Sequence, residues 1–236
     1  MMRSTSFHRL FVCTFTFVAI QAIAAVPPAP KLPADAYFLM DATTGQVLVD
    51  HNGDLSLPPA SLTKIMTSYV LAEEVDAGRA SLDDMIKVSR NAWSQNPTFK
   101  GSSLMWIEPG KSVSLADLER GVVISSGNDS SVAVAEHLAG TESSFVDVMN
   151  QLATELDLDN TVYRNPHGLP HQEHRSTARD LAKLSVALIN DHPEHYKIYK
   201  EQSFTYNGIK QYNRNSLLRS DATVDGLKTG YTSEAG

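Results

Sequence analysis

The 236-residue chain has one cysteine, Cys13, which lies in its N-terminal apolar segment. A single thiol cannot form an intramolecular disulfide, so a hydrophobic core has to hold the fold, and a chain of this length can bury one. Positive charge is also scarce, because 27 acidic residues against 20 basic ones give a net charge of −7, and no basic stripe offsets it. This balance argues against a nucleic-acid partner and confines any cationic site to a local pocket.

The sequence also has no pattern that indicates a metal or another cofactor, and we predict none. His167, His171 and His174 are close together, but they follow one another in a loop with proline and glycine rather than on one helix face. A metal hydrolase could be inferred from them, but solvated loop histidines are the interpretation that this context favours.

The N-terminus is typical of a secretory signal. Two arginines precede an apolar run from Leu10 to Ile20 and a small-residue segment that ends at Ala24. The run is short for a spanning helix, although an uncleaved anchor is the alternative. We therefore predict a signal peptide at residues 1–24 and an exported mature domain at residues 25–236.

Ser61 and Lys64 are the first candidate chemical groups. They are three residues apart at the start of an apolar-periodic segment, with Pro58-Pro59 before it, so they share one face at a helix N-terminus. The free N–H groups there favour a developing oxyanion, and a neutral lysine can take a proton from a serine hydroxyl. Taken alone, the pair is equally compatible with a helix cap and a solvated lysine.

Hydrophobic periodicity and turn residues predict a mixed α/β chain. The predicted elements are strands at 36–40 and 46–50, a helix at 62–77, a strand at 85–88, a long loop at 91–105, helices at 114–124, 129–138, 141–156 and 177–189, a hairpin of strands 204–206 and 209–212, and a strand at 224–232.

Two further motifs follow the serine–lysine pair. Ser126 and Asn128 lie two residues apart on a turn between two predicted helices, so both side chains can point into one cleft. Lys228 and Thr229 place polar groups on the last predicted strand, and Gly230 permits a close backbone approach to a ligand. Each motif is common, but the three in this order form the signature of penicillin-binding proteins and serine β-lactamases.

The chain resembles the low-molecular-mass penicillin-binding proteins that are serine-type D-alanyl-D-alanine carboxypeptidases. The resemblance implies a β-lactamase/transpeptidase-like α/β fold, with a central antiparallel sheet, helices on both faces and a helical subdomain. It extends over nearly the whole mature chain, and it rests on segments 41–45, 59–67, 99–105, 126–129, 167–169, 213–215 and 225–230.

By this resemblance, Ser61 forms the acyl-enzyme and Lys64 is its base. Ser126 relays a proton to the leaving group, and Asn128 holds the substrate amide. For Lys64 to act as a base at neutral pH, its pKa must be lowered, and burial and the nearby cation Lys228 would both lower it.

The resemblance also implies a carboxylate site. Lys228 and Thr229 would bind the terminal carboxylate with help from Arg214, and the N–H groups of Ser61 and Tyr231 would form the oxyanion hole. Tyr231 stands where the family often has histidine, but only its backbone would act. The implied reaction removes the terminal D-alanine of the peptidoglycan stem pentapeptide in the periplasm, at the outer face of the inner membrane, and β-lactams would acylate the same serine.

Two rival interpretations remain open. A serine β-lactamase would share the motifs but carry a deacylating glutamate followed by Leu-Asn, whereas Glu155 precedes Leu158-Asp159 in a helical pattern. A non-catalytic peptidoglycan- or penicillin-binding fragment is the other, because motifs can persist without assembling.

Relatives of this kind continue past the position of Gly236 with two central strands, a closing helix, a small β domain and an amphipathic membrane-attached helix. We therefore expect a fold that is incomplete at the C-terminus, with unpaired strand edges, and poor penicillin binding by residues 25–236 alone.

Overall fold

The computed structural model describes residues 28–235, so the predicted signal peptide lies outside the described residues. Every secondary-structure element belongs to one unit that begins at Pro33. In the described range, no helix is both long enough and apolar enough to cross a membrane.

Seven α-helices and six strands are found between residues 33 and 235. The helices are α1 (Lys64–Asp76), α2 (Leu115–Val123), α3 (Asn128–Ala139), α4 (Glu142–Glu155), α5 (Ala178–Asp191), α6 (Pro193–Tyr196) and α7 (Leu217–Ser220). The strands are β1 (Tyr37–Met40), β2 (Val47–His51), β3 (Met85–Lys87), β4 (Ser112–Ser114), β5 (Ser203–Tyr206) and β6 (Ile209–Tyr212).

Local side-chain hydrogen bonds fix where three of the helices begin. Ser114, Thr141 and Thr177 each accept a hydrogen bond from the backbone N–H three residues later, at 3.1, 3.0 and 3.1 Å. Such caps satisfy N–H groups that have no partner inside the helix, and each typically contributes about 1 kcal/mol. The predicted starts of α2, α4 and α5 at residues 114, 141 and 177 are therefore confirmed, and each of these residues is the helix cap.

The core is built around α1, which is buried on nearly every side. Ile65, Met66, Val70 and Leu71 are each at most 3% exposed. Helices α2, α3, α4 and α5 all pack against α1. Because the helix is buried from Lys64 to Ala72, its first turn is a rigid support for the side chains that it carries.

The three strand pairs are separate antiparallel ladders, β1–β2, β3–β4 and β5–β6. In the first, the Asp41 carboxylate accepts hydrogen bonds from the N–H groups of Thr43 and Thr44, at 3.0 and 2.7 Å, and closes the turn. Helix α5 packs on this hairpin through Arg179, whose guanidinium lies 4.6 Å from the centre of the Phe38 ring. The predicted α/β composition and both predicted hairpins are confirmed.

Two predictions about the sheet are not met within residues 33–235. The segment 224–232 is not a strand, and the predicted central sheet is not one continuous ladder. A strand is defined by hydrogen bonds to a neighbour, and no described strand lies beside 224–232 to supply them. Helix α1 also begins later than predicted. The prediction starts it at residue 62, but a 3₁₀ turn at Ala60–Thr63 precedes it.

Candidate active site

Ser61 lies on the 3₁₀ turn that opens α1 and lines an open cavity of about 770 Å³. The residue before it, Ala60, has a positive φ of 48°, a conformation that is costly for a residue with a Cβ. Gly168 packs so closely that a Cβ built on it would lie 1.8 Å from the Ala60 carbonyl oxygen. Only glycine therefore fits at position 168, and its backbone holds the strained residue beside the serine.

Lys64 has its amine at the centre of the site and is fully buried. Its Nζ lies 3.2 Å from Ser61 Oγ, 2.7 Å from Asn128 Oδ1 and 2.6 Å from the His167 carbonyl oxygen. Burial, and secondly the nearby Lys228 cation, hold the pKa of Lys64 well below the usual value for lysine, while Asp129 acts in the opposite direction. The expected lowering of this pKa by burial and Lys228 is confirmed.

Lys228 connects the last motif to the middle one. Its Nζ donates to Ser126 Oγ at 2.9 Å and to the Thr229 carbonyl oxygen at 2.9 Å. Burial, together with the Arg214 cation, lowers the pKa of Lys228 to about 7. Ser126 itself has a positive φ of 59°, so its backbone holds the hydroxyl in an uncommon orientation.

The remaining predicted residues also reach this cavity. The cavity that contains Ser61, Ser126 and Asn128 is also lined by four exposed residues: Arg214, Thr229, Gly230 and Tyr231. A Cβ on Gly230 would lie 3.1 Å from the Ser61 backbone nitrogen, so glycine leaves that N–H open to a ligand. The three motifs, far apart in sequence, therefore meet in one cleft.

Sequence reasoning was wrong about two of the three loop histidines. His167 and His174 are only 5% and 2% exposed, whereas His171 is solvated as expected. Arg164 N–H donates to His174 Nδ1 at 3.2 Å, so His174 Nε2 carries the proton and donates to Thr63 Oγ1 at 2.8 Å. The motif His-Gly-Leu could have indicated this packing, since only a glycine tolerates the approach to the nucleophile turn.

Asp129 was also missed as a functional neighbour. It is fully buried and accepts backbone hydrogen bonds from Met105, Trp106 and Ile107, at 2.8, 2.9 and 3.2 Å. These bonds fix the segment that follows the long loop against the start of α3. Asn128 and the cleft wall are therefore held by one buried carboxylate.

A serine beside a buried lysine, a Ser-x-Asn turn and a Lys-Thr-Gly segment around one cleft define the penicillin-binding class of protein. The fold agrees with solved structures of that class. Penicillin binding protein 5 from Haemophilus influenzae is 46% identical with a TM-score of 0.86, over 90% of this chain and 61% of that one. Penicillin binding protein 6B from Escherichia coli is 48% identical with a TM-score of 0.85, over 89% and 67%.

Residues 22–236 match the family model described as D-alanyl-D-alanine carboxypeptidase, and the chain belongs to this family. Among curated relatives, D-alanyl-D-alanine carboxypeptidase DacC of Escherichia coli K12 is 48% identical over 98% of this chain. DacA of the same strain is 46% identical over 89%. The chain spans 57% and 53% of the lengths of these two relatives.

Proposed function

We propose that this chain carries the catalytic site of a serine-type carboxypeptidase that removes the terminal D-alanine from the peptidoglycan stem pentapeptide. The observation that carries the proposal is the contact between the buried Lys64 amine and Ser61 Oγ. Membership of the D-alanyl-D-alanine carboxypeptidase family supports the choice of substrate.

The lowered pKa of Lys64 favours its neutral form as the base, and its hydrogen-bond partners are compatible with that form. A neutral amine has two N–H donors and one lone pair. The carbonyl oxygens of Asn128 and His167 can only accept, at 2.7 and 2.6 Å, so they take both donors. The lone pair is then left for the Ser61 hydroxyl, which donates its proton to Nζ as the oxygen attacks the substrate carbonyl.

Different groups of the cleft stabilise the oxyanion and the substrate carboxylate. We infer that the N–H groups of Ser61 and Tyr231 stabilise the developing oxyanion, which the open approach at Gly230 permits. Lys228 and Arg214 bind the substrate carboxylate together with the Thr229 hydroxyl. Arg214 lines the cavity, and Lys228 reaches it through its hydrogen bond to Ser126, so an acidic protein keeps two cations at this site.

Ser126 completes the proton path. Because the Lys228 ammonium donates to Ser126 Oγ, the hydroxyl hydrogen is free to be donated elsewhere. In the proposed step it passes to the leaving amine and is replaced by the proton held on Lys64. The peptide C–N bond breaks, D-alanine leaves, and water then hydrolyses the ester on Ser61. A β-lactam would acylate the same oxygen through its ring amide.

The β-lactamase alternative has no support in this site. Glu155, the residue in question, is exposed at the end of α4 and accepts a hydrogen bond from Gln151 at 2.8 Å. It does not line the cavity that contains Ser61.

We also propose that residues 1–24 direct export to the periplasm and that residues 25–236 form the domain. Association with the inner-membrane surface would occur only through an additional C-terminal anchor.

The proposal is tested by labelling the purified protein with penicillin and locating the adduct by mass spectrometry, alongside D-alanine release from a stem pentapeptide. We expect the penicillin adduct on Ser61 and its loss in Ser61→Ala, with the thermal unfolding curve unchanged, because a small cleft hydroxyl contributes little to packing. An adduct that persists in the variant would refute the assignment. Labelling without any D-alanine release would favour the non-catalytic binding fragment.

A further inference from the structure

The side chain of Tyr196, on α6, contacts the segment that leads to Lys228. Its hydroxyl donates to Asp225 Oδ1 at 2.8 Å, three residues before Lys228. Gly226 packs against the same group, because a Cβ built on it would lie 2.9 Å from the Tyr196 hydroxyl oxygen. Tyr196 therefore contacts this segment at two consecutive residues, although it has no part in the proposed reaction.

Buried groups fix the position of the Tyr196 ring. On the same helix, His195 Nδ1 lies 2.5 Å from Glu119 Oε1 of α2, and both side chains are buried. The Tyr196 ring stacks on the fully buried ring of Tyr199, with the ring centroids 5.9 Å apart. Burial, and secondly the bond to Asp225, raise the pKa of Tyr196, so its hydroxyl keeps its proton and is the donor. The core thus holds the hydroxyl that Asp225 accepts.

The neighbourhood of α6 also supports the segment that carries Arg214. Asn213 Nδ2 donates at 3.2 Å to the carbonyl oxygen of Tyr199, which belongs to the 3₁₀ turn after α6. Asn215 Nδ2 donates to the Gly226 carbonyl oxygen at 2.7 Å. Both asparagines are buried. The two segments that carry the cations are therefore joined to each other, and both are joined to α6 or the turn that follows it.

The backbone position of Lys228 decides what its amine can reach. A lysine is a point charge on a flexible side chain, so its own rotamers do not fix the ammonium in one place. Its Nζ already donates to Ser126 Oγ at 2.9 Å, and a carboxylate contact would have to form from the same position. Such charge-assisted bonds have lengths of about 2.7–2.9 Å. A small shift of the 225–228 backbone should therefore weaken carboxylate binding.

We propose that Tyr196 is a positioning residue for the carboxylate site: its bond to Asp225 sets the backbone that carries Lys228 and Thr229, and so favours substrates that end in a free carboxylate. The inference rests on the proposed function and names a determinant of its specificity. The nucleophile and its base are held by α1 and the loop at 166–168, so the chemical step should depend little on this bond.

Equilibrium binding to the Ser61→Ala protein measures this role without turnover. The probes are acyl-D-alanyl-D-alanine with a free carboxylate and its C-terminal amide. Tyr196→Phe in this background removes only the hydroxyl, and it should weaken binding of the acid about three- to tenfold, as loss of one hydrogen bond gives, with little change for the amide. With Ser61 present, the same substitution should raise the KM for the acid by a similar factor and leave kcat unchanged.

Tyr69→Phe is the matched control, because it also removes a tyrosine–aspartate hydrogen bond. That bond, to Asp191 Oδ2 at 3.0 Å, joins α1 to α5, so its loss should leave the preference for the acid unchanged. Asp225→Asn keeps a carbonyl oxygen that can accept from the Tyr196 hydroxyl, and it should preserve most of the preference. Asp225→Ala should reproduce the loss, and its combination with Tyr196→Phe should add nothing further.

Several results would overturn the proposal. Unchanged binding in Tyr196→Phe, or an equal loss for the acid and the amide, would show that the hydroxyl does not act on the carboxylate site. The same holds for an equal effect of Tyr69→Phe, or for additive losses in the Tyr196→Phe/Asp225→Ala double variant. Absence of D-alanine release by the unmodified protein would instead refute the proposed function, and the binding measurements would still decide the role of Tyr196.

Discussion

At the scale of the residue, the site depends on two lysines whose pKa values lie below the usual value for lysine. Lys64 is fully buried and Lys228 is partly buried, and their charges repel each other. Burial disfavours the ammonium form, and a nearby like charge disfavours it further. The two amines therefore have different roles in the proposed mechanism. Lys64 accepts a proton, and Lys228 stays available as a cation for the substrate carboxylate.

Lys64→Ala should slow acylation by penicillin about 10²- to 10⁴-fold, the usual range for loss of a general base. Since the pKa of Lys64 is lowered, the acylation rate of the unmodified protein should fall as the pH falls through that pKa, because the amine then becomes protonated. Lys64→Arg is the matched control, because arginine keeps a long side chain with N–H donors but stays protonated and cannot act as a base. Stopped-flow acylation rates check this, and near-normal rates in either variant would assign the base to another group.

Lys228→Ala should raise the KM for peptides with a free D-alanyl carboxylate much more than for the amidated analogue, since a charge-assisted contact is lost only with the acid. The pKa of about 7 adds a pH dependence. The cationic fraction of Lys228 falls as the pH rises through 7, so the KM for the acid should rise there in the unmodified protein and not in the variant. Steady-state kinetics from pH 6 to 8.5 check both; equal losses for acid and amide would remove Lys228 from this role.

At the scale of the element, the nucleophile turn, which is the 3₁₀ turn Ala60–Thr63 that contains Ser61, is held by the loop that contains Pro166 and His167. Side chains at the start of α1 donate to that loop's carbonyl oxygens: Thr67 to Pro166 at 2.6 Å, and Lys64 to His167 at 2.6 Å. Thr63 donates to the Ala60 carbonyl oxygen at 2.8 Å. Position and strain of the turn are therefore set by contacts roughly a hundred residues away in sequence.

Gly168→Ala should disrupt this arrangement, because the new Cβ would meet the Ala60 carbonyl oxygen at 1.8 Å. Gly140→Ala is a matched control with a similar positive φ of 80° but nothing within 4 Å. Both variants carry a conformational cost of roughly 1–2 kcal/mol, and only the first also has to displace Ala60 and Ser61. We expect a larger loss of stability and a slower acylation rate only in Gly168→Ala, measured by denaturant unfolding and penicillin labelling. Equal effects in both variants would contradict this account.

At the scale of the whole molecule, buried histidines make stability depend on pH. Burial, with smaller contributions from His171 and neighbouring cations, lowers the pKa of His174 to about 4, and burial likewise lowers that of His167. In the unfolded chain both would titrate near 6.5. Stability should thus fall as the pH drops from about 6.5 towards 4, because the unfolded state binds more protons.

His195 acts in the opposite direction. Burial opposes its protonation, but contact with the Glu119 carboxylate raises its pKa overall. Its contribution to stability is therefore fully present below the unfolded pKa and is lost as the pH rises through the folded one.

His174→Gln should flatten the acid side of the stability curve. Each unit of pKa shift corresponds to about 1.4 kcal/mol, so His174 accounts for about 3 kcal/mol of stability lost between pH 6.5 and pH 4. Glutamine can still donate to Thr63 but does not titrate. Denaturant unfolding at half-unit pH steps checks this, with His171→Gln as the exposed control; parallel curves for His174→Gln and the unmodified protein would show that His174 is not the titrating group.

The sequence by itself predicted helices α1 to α5, the hairpins β1–β2 and β5–β6, and the residues that meet in the site, but not α6, α7 or β4. Those features depend on local physics: caps such as Thr177, turns such as Asp41, and the three-residue spacing that places Lys64 beside Ser61. The three motifs could be assembled into one cleft because their order along the chain indicated it. The effect of the Lys228 cation in lowering the pKa of Lys64 also followed from the motif chemistry.

Only the tertiary structure decided which groups surround those motifs. Burial of His167 and His174, the approach of Gly168 to Ala60 and the bonds from Asp129 all join segments that are distant in sequence, so no local pattern predicts them. The failed strand at 224–232 has the same cause, because a strand requires a neighbour as well as its own residues. The sequence specifies the functional group of each residue, whereas its pKa, backbone strain and hydrogen-bond partners depend on the residues that the fold packs against it.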